Sequence, residues 1–177
     1  MAPIPTSVLF VCTHNAIRSP MAEAILKRVA RQRIFVQSAG IVPADIDPFT
    51  VAVMAEQGMD LSAHRSKSLD NLDDGTFDLV VTLSPEAHHR ALELTRTTSC
   101  DVVYWPTFDP TAIRGTRDQQ VEAYRNTRDQ LIGRIEERFQ SGNAVASGPA
   151  SGRIGGDSRS VNTPSGRGSD VANRKSS

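Results

Sequence analysis

Cysteine is scarce in this sequence: the chain of 177 residues holds two, Cys12 and Cys100, with no CxxC pair. That excludes a disulfide scaffold and a zinc ribbon, and it fits a reducing compartment in which a lone thiol stays reactive. Net charge is missing too. Twenty Lys and Arg balance twenty Asp and Glu, which removes the electrostatic reason to expect nucleic acid or a membrane surface as partner. Long apolar runs are absent, and the stretch Val8 to Val11 is too short for a membrane span or a signal peptide. A soluble, cytoplasmic protein is expected. Aromatic residues make up 5% of the chain, and none falls between residues 141 and 177. That segment is rich in Ser, Gly, Arg and Asn, with five basic residues against two Asp. It cannot bury enough apolar surface to offset its ordering entropy, so a disordered tail is expected, either a solvated extension or a docking segment. Residues 1–140 are left as one catalytic-sized domain with a real core.

Within residues 1–140, strand-like and helix-like stretches alternate. Ser7–Val11, Ile34–Val36, Leu79–Leu83 and Val102–Trp105 are short β-branched or apolar runs. Ser19 followed by Pro20, Asp47 by Pro48 and Ser84 by Pro85 read as N-caps with proline at the first helical position. Thr116 with Gln119 reads as a capping box. Helical spacing then predicts buried stripes of Ala22, Ile25, Leu26 and Val29; of Val51, Met54 and Ala55; of Ala87, Ala91 and Leu94; and of Val121, Tyr124, Leu131, Ile132, Ile135 and Phe139. Gly58 is the expected stop of the second helix. Four such repeats predict a three-layer αβα fold: a twisted four-stranded parallel sheet with helices on both faces. Function in such sheets gathers at the carboxyl ends of the strands.

The turn after the first strand reads Cys12-Thr13-His14-Asn15-Ala16-Ile17-Arg18-Ser19. A loop winding into a helix N-terminus turns backbone N–H groups inward and makes an anion cradle. Arg18 can add a bidentate fork for two phosphate oxygens. The same positive field favours a nucleophilic thiolate at Cys12. Ser19 can donate to that sulfur, and Asn15, which tolerates left-handed backbone, can brace the loop. Taken alone, Cys12 also fits a small buried hydrophobe at a strand end. The combined spacing points to a phosphate site formed by Thr13, His14, Asn15, Ala16, Ile17, Arg18 and Ser19 around Cys12.

The segment VLFVCTHNAIRSPMAEAIL resembles the opening of the low-molecular-weight protein tyrosine phosphatases, a superfamily that also holds the thioredoxin-coupled arsenate reductases. Ser38–Gly40, the stretch Gly58 to Leu69, Phe77–Leu83 and Phe108–Pro110 resemble later segments of the same family, over about residues 5 to 140. The resemblance implies that Cys12 is the nucleophile of a phosphocysteine intermediate, that Arg18 holds the phosphoryl oxygens, and that Asp109 is general acid and then base. Taken by itself, Asp109 before Pro110 is also an ordinary turn residue. His14 stands where the family has glycine, so a backbone cost is expected there. Ile17 replaces a cysteine able to protect the nucleophile as a disulfide. Thr111 and Ala112 replace aromatic walls of the phosphotyrosine slot.

Three functions follow as alternatives. The first is a cysteine-dependent phosphomonoester hydrolase acting on a phosphorylated protein or a small phosphomonoester. The second is an arsenate reductase drawing on an external thiol such as glutathione, mycothiol or glutaredoxin. In it Ser84 stands where a relay cysteine would follow the third strand, and Cys100 is read as a small packed residue. The third is a non-catalytic phosphate-binding module. Phosphate or arsenate is the expected ligand in all three, with no metal and no cofactor. His64 and Arg65 are assigned to a surface turn, His88 and His89 to solvent, and Asp70, Asp73 and Asp74 to a polar loop. Ile41, Val42 and Pro43 are candidates for one wall of the entrance. The hydrolase mechanism predicts maximal activity at mildly acidic pH.

Overall fold

The computed structural model describes residues 3–72 and 76–140. The expected tail, and Asp73 and Asp74, lie outside the described residues. Four strands and four α-helices alternate: β1 (Ser7–Cys12), α1 (Arg18–Ala30), β2 (Phe35–Gly40), α2 (Pro48–Ala55), β3 (Leu79–Thr82), α3 (Pro85–Leu94), β4 (Asp101–Tyr104) and α4 (Arg117–Gln140). The strands form one parallel sheet in the order β2-β1-β3-β4. β1 is therefore an inner strand and is apolar and buried from Val8 to Cys12, as a strand covered on both faces must be.

Alternation along β1 divides the core. Val8, Phe10 and Cys12 face a cluster with Met21, Ile25 and Leu26 of α1, Val53 and Met54 of α2, and Leu131 and Ile135 of α4. Leu9 and Val11 face Phe77, Ala87 and Ala91, so α3 covers the opposite face. This is the expected αβα arrangement. No described helix is long and apolar enough to cross a membrane.

Most helix starts follow the local signals. Asp47 Oδ1 accepts from the N–H groups of Phe49 and Thr50 at 2.8 and 3.2 Å, and Ser84 Oγ accepts from Ala87 N–H at 3.3 Å. Thr116 and Gln119 form the reciprocal box, at 2.9 and 3.2 Å. Gly58 adopts φ +74° in the turn that follows α2. The exception is α1. It begins at Arg18 with Ile17 at the cap position and no side-chain cap, so Pro20 stands third rather than first and Ser19 is not the cap. Proline is tolerated there because the first turn has no N–H partners to lose.

The predicted stripes need three corrections. α2 buries Thr50, Val53 and Met54, while Val51 is half-buried against the same core and Ala55 is exposed. Leu94 is exposed near the end of α3, and β4, an edge strand, is largely exposed despite its apolar sequence.

Candidate active site

The turn from Cys12 to Ser19 closes into a loop because its carbonyls find partners on one side. Those of Cys12, Thr13, His14 and Ala16 accept from the N–H groups of Ile41, Val42, Ala44 and Asp47 at 2.9–3.3 Å, and that of Asn15 from the Ser66 hydroxyl at 2.8 Å. A peptide plane whose C=O points outward directs the following N–H the other way. The N–H groups of residues 13–17 are thus turned toward the loop interior, the geometry of an anion nest. Asn15 N–H lies 3.2 Å from Cys12 Sγ.

Asn15 makes the turn possible. Its φ is +51°, and His14 is not among the positive-φ residues. The backbone cost expected at His14 is therefore absent, and the strained position is the next one, where Asn is suited. The Asn15 side chain is fully buried and its bonding capacity is filled. Nδ2 donates to Ser19 Oγ and Ser38 Oγ, both at 2.9 Å, while Oδ1 accepts from Lys67 N–H at 2.9 Å and His64 Nε2 at 3.2 Å. Ser38 in turn donates to the buried carboxylate of Glu23, which also pairs with Lys27.

Ser19 Oγ lies 2.9 Å from Cys12 Sγ and 3.3 Å from the Ala39 carbonyl. One hydroxyl proton thus has two acceptors: it can go to an ionised sulfur, or to the carbonyl when the sulfur carries its own proton. Cys12 is 2% exposed at the end of β1. The guanidinium of Arg18 is held by the Thr107 carbonyl at 3.2 Å and Thr13 Oγ1 at 3.4 Å, and its Nη2 lies 3.7 Å from Asp109 Oδ2. The other Asp109 oxygen accepts from the Thr111 N–H and hydroxyl at 3.0 and 2.7 Å.

A cavity of about 250 Å³ brings Cys12, Arg18 and Asp109 together with His14, Ala16, Ile17 and Thr111. Of the predicted phosphate-loop residues, Thr13, Asn15 and Ser19 do not line it; their side chains serve the loop from behind. Ala44, Asp45 and Asp47 do line it, and none of them was singled out as a site residue in the sequence. Asp47 carried a cap signal only, yet its Oδ2 also accepts from the Tyr124 hydroxyl at 3.2 Å. Burial, followed by the Asp47 charge, pushes the Tyr124 phenol well above its ordinary range.

Two histidines were misplaced by the sequence. His64 is half-buried against Asn15 rather than a surface turn, and desolvation lowers its pKa despite the nearby Glu23 charge. His88 stacks on Tyr104 and bonds Thr82 Oγ1 at 2.9 Å, so it is not merely solvated. His14 is exposed as expected, with Nδ1 2.9 Å from the Val42 carbonyl. Asp70 pairs with Arg90.

A larger cavity, about 660 Å³, lies between α3 and Leu69, Leu72 and Phe77, with Cys100 in its wall. It is mainly apolar and contains none of the loop residues. Burial, with Asp101 beside it, raises the Cys100 pKa. Among the described residues no group of three or more His, Cys, Asp or Glu is placed to hold a metal ion.

A parallel αβα sheet with an anion nest at the carboxyl end of its central strand, and a cysteine at the nest's floor, defines the class. More narrowly, residues 7–141 match the family model of the low molecular weight phosphotyrosine protein phosphatases, and the chain belongs to that family. Among its relatives is an arsenate reductase of Halalkalibacterium halodurans, 32% identical over 76% of this chain and 96% of that protein. A glutaredoxin arsenate reductase of Synechocystis is 31% identical over 73% of this chain and 92% of its own length. Among solved structures, an arsenate reductase in the phosphate binding state superposes with a TM-score of 0.59 at 27% identity, covering 76% of this chain and 97% of that one. The family is thus one of enzymes that includes phosphatases and arsenate reductases.

Proposed function

We propose that the protein, through residues 1–140, is a phosphomonoester hydrolase with Cys12 as nucleophile. The observation that carries this reading is the meeting of Cys12, Arg18 and Asp109 in one cavity, with no second thiol within reach. Cys100 directly precedes β4, whose Asp101 is level with Leu79 of β3 and so with Val8 of β1. Cys12 lies at the far end of β1, about 16 Å along the strand direction at 3.3 Å per residue. A disulfide needs Cα atoms within about 7 Å. A direct Cys12–Cys100 disulfide is therefore out of reach without movement of the backbone.

The chemistry then runs in two steps. The Cys12 sulfur, accepting from Asn15 N–H and the Ser19 hydroxyl, attacks phosphorus as the ester P–O bond breaks. Arg18 and the loop N–H groups hold the equatorial oxygens, and Asp109 gives its proton to the leaving oxygen. The Asp109 carboxylate next takes a proton from water as its oxygen attacks phosphorus, and the P–S bond breaks with its electron pair returning to the Cys12 sulfur. Inorganic phosphate leaves, and Cys12 and Asp109 return to their starting forms.

The second reading, favoured by the names of the relatives, is arsenate reduction. Cys12 would bond arsenate, and an external thiol would attack that sulfur, reducing As(V) to As(III) and leaving a mixed disulfide. A second thiol would restore Cys12. Ser84, buried beside Thr13 at 3.1 Å, is the serine found where a relay cysteine was sought, which makes the external thiol obligatory.

One experiment separates them. The protein is incubated with p-nitrophenyl phosphate, and separately with arsenate plus glutathione, mycothiol or glutaredoxin. Ester turnover that Cys12→Ser abolishes is the expected result. Thiol-dependent arsenite formation without ester turnover overturns the hydrolase in favour of the reductase. Phosphate binding with neither activity leaves only a binding module.

A further inference from the structure

We infer that the site selects polypeptides in which the phosphorylated residue is flanked by basic side chains. The inference rests on the hydrolase reading and specifies its substrate. Besides Asp109, the general acid, two carboxylates, Asp45 and Asp47, stand in the cavity wall against one cation, Arg18. The phosphoryl group itself neutralises Arg18. What remains facing the rest of the substrate is acidic.

The carboxylates have different duties. Asp109 faces Arg18, and Asp47 caps α2 and accepts from Tyr124. Asp45 is exposed, and its side chain makes no hydrogen bond or ion pair within the described residues. It is held at the rim because the neighbouring Ala44 N–H and carbonyl bond the His14 carbonyl and the Ser66 hydroxyl. Arg114 and Arg117, the cations nearest in sequence after Asp109, do not line the cavity, and Arg117 lies over the Phe49 ring instead.

The two loops bordering the cavity also expose large apolar side chains: Val42 is 61% exposed, Phe108 53% and Ile113 37%. Scattered apolar residues are ordinary on a surface. Here they are grouped on the two loops that carry Asp45 and Asp109, bordering the cavity that holds Cys12 and Arg18. That arrangement suits a chain laid across the mouth better than a small metabolite. An exposed carboxylate and a facing cation give a modest attraction, and exchanging the cation for an anion about doubles the difference.

The test compares two phosphotyrosine peptides, identical except that arginine or glutamate flanks the phosphotyrosine, with p-nitrophenyl phosphate as reference. The arginine peptide is expected to have a kcat/KM about tenfold above the glutamate peptide at low salt. That ratio should shrink toward one at about 1 M salt, where the screening length is about 3 Å. Asp45→Asn should reduce the ratio, and Asp45→Lys should reverse it. Hydrolysis of p-nitrophenyl phosphate with equal turnover of both peptides overturns the inference and leaves the hydrolase standing. A ratio that survives unchanged in both Asp45 variants does the same. Failure of the wild-type protein to hydrolyse any ester overturns both.

Discussion

Asn15 is the residue on which the loop geometry turns. Its left-handed φ costs a non-glycine residue about 1–2 kcal/mol, and the four side-chain bonds offset that cost. Asn15→Ala keeps the strain and strands the buried Ser38 hydroxyl and the half-buried Lys67 N–H. It is expected to destabilise the fold by about 3 kcal/mol, read as a lower urea midpoint at unchanged m. Asn15→Gly loses the same bonds without the strain and should recover about 1 kcal/mol of that loss. If the glycine variant is no more stable than the alanine one, the positive φ is not a source of strain. The role proposed for Asn15 was open to sequence reading because Asn, Cys, Arg and Ser lie within eight consecutive residues, where spacing constrains geometry. Its partners were not. Ser38 and His64 come 23 and 49 residues later, and no local pattern marks a serine or histidine as second partner of a distant amide. Ser19 shows the opposite failure. Ser before Pro is a sound local cap signal, but the bonds to Cys12, Asn15 and Ala39 claim the hydroxyl instead.

At the scale of elements, β2 ends where it must approach the loop most closely. Gly40 pairs with Cys12 across the sheet, and a Cβ there would come 2.7 Å from Asn15 N and 2.8 Å from His14 C. Both are backbone atoms, so relief requires the loop to move. A shift near 1 Å at a reacting group can cost about 100-fold in rate. Gly40→Ala is therefore expected to lower kcat/KM for p-nitrophenyl phosphate by about that factor while far-UV circular dichroism keeps its native form. Wild-type kinetics in that variant would show that the loop yields without loss. Element starts with paired local signals, Asp47-Pro48, Ser84-Pro85 and Thr116 with Gln119, were legible because a cap is satisfied within three residues. Helix faces were less so. The eight residues of α2 are almost uniformly apolar, so their periodicity selects no side, and packing on α4 makes the choice. The exposure of β4 was equally hidden, since an edge strand has the same Val-Val-Tyr content as an inner one.

For the whole molecule, alternation of strands and helices implied the layers but not the order β2-β1-β3-β4, which depends on long crossovers rather than neighbouring residues. The same is true of the ion cluster that joins α4 to the end of α2. Arg125 and Arg128 of α4 grip Glu56, just past α2, at 2.7 and 2.8 Å, and Arg128 also donates to the Val53 carbonyl at 2.7 Å. Those bonds hold the Glu56 carboxyl at about 2, against an ordinary 4.5. A folded-state value below the unfolded one means that the unfolded chain binds the extra proton first. The stabilising contribution of Glu56 is thus complete above pH 4.5 and is lost as pH falls toward 2. His64 acts in an earlier window by the same sign. Burial lowers its value below 6.5, so its contribution is complete above pH 6.5 and declines as pH falls through the folded value. Acid unfolding should therefore proceed in two separable parts. Thermal melts from pH 7.5 to 2 are expected to show His64→Gln flattening only the upper window. Glu56→Gln, already less stable at neutral pH, should lessen the slope only in the lower one, to which Asp60 and Asp78, held below 3.8 by hydrogen bonds from Ser62 and Thr6, also contribute. Melting curves for Glu56→Gln that fall between pH 4.5 and 2 as steeply as wild type would place the acid sensitivity elsewhere in the fold.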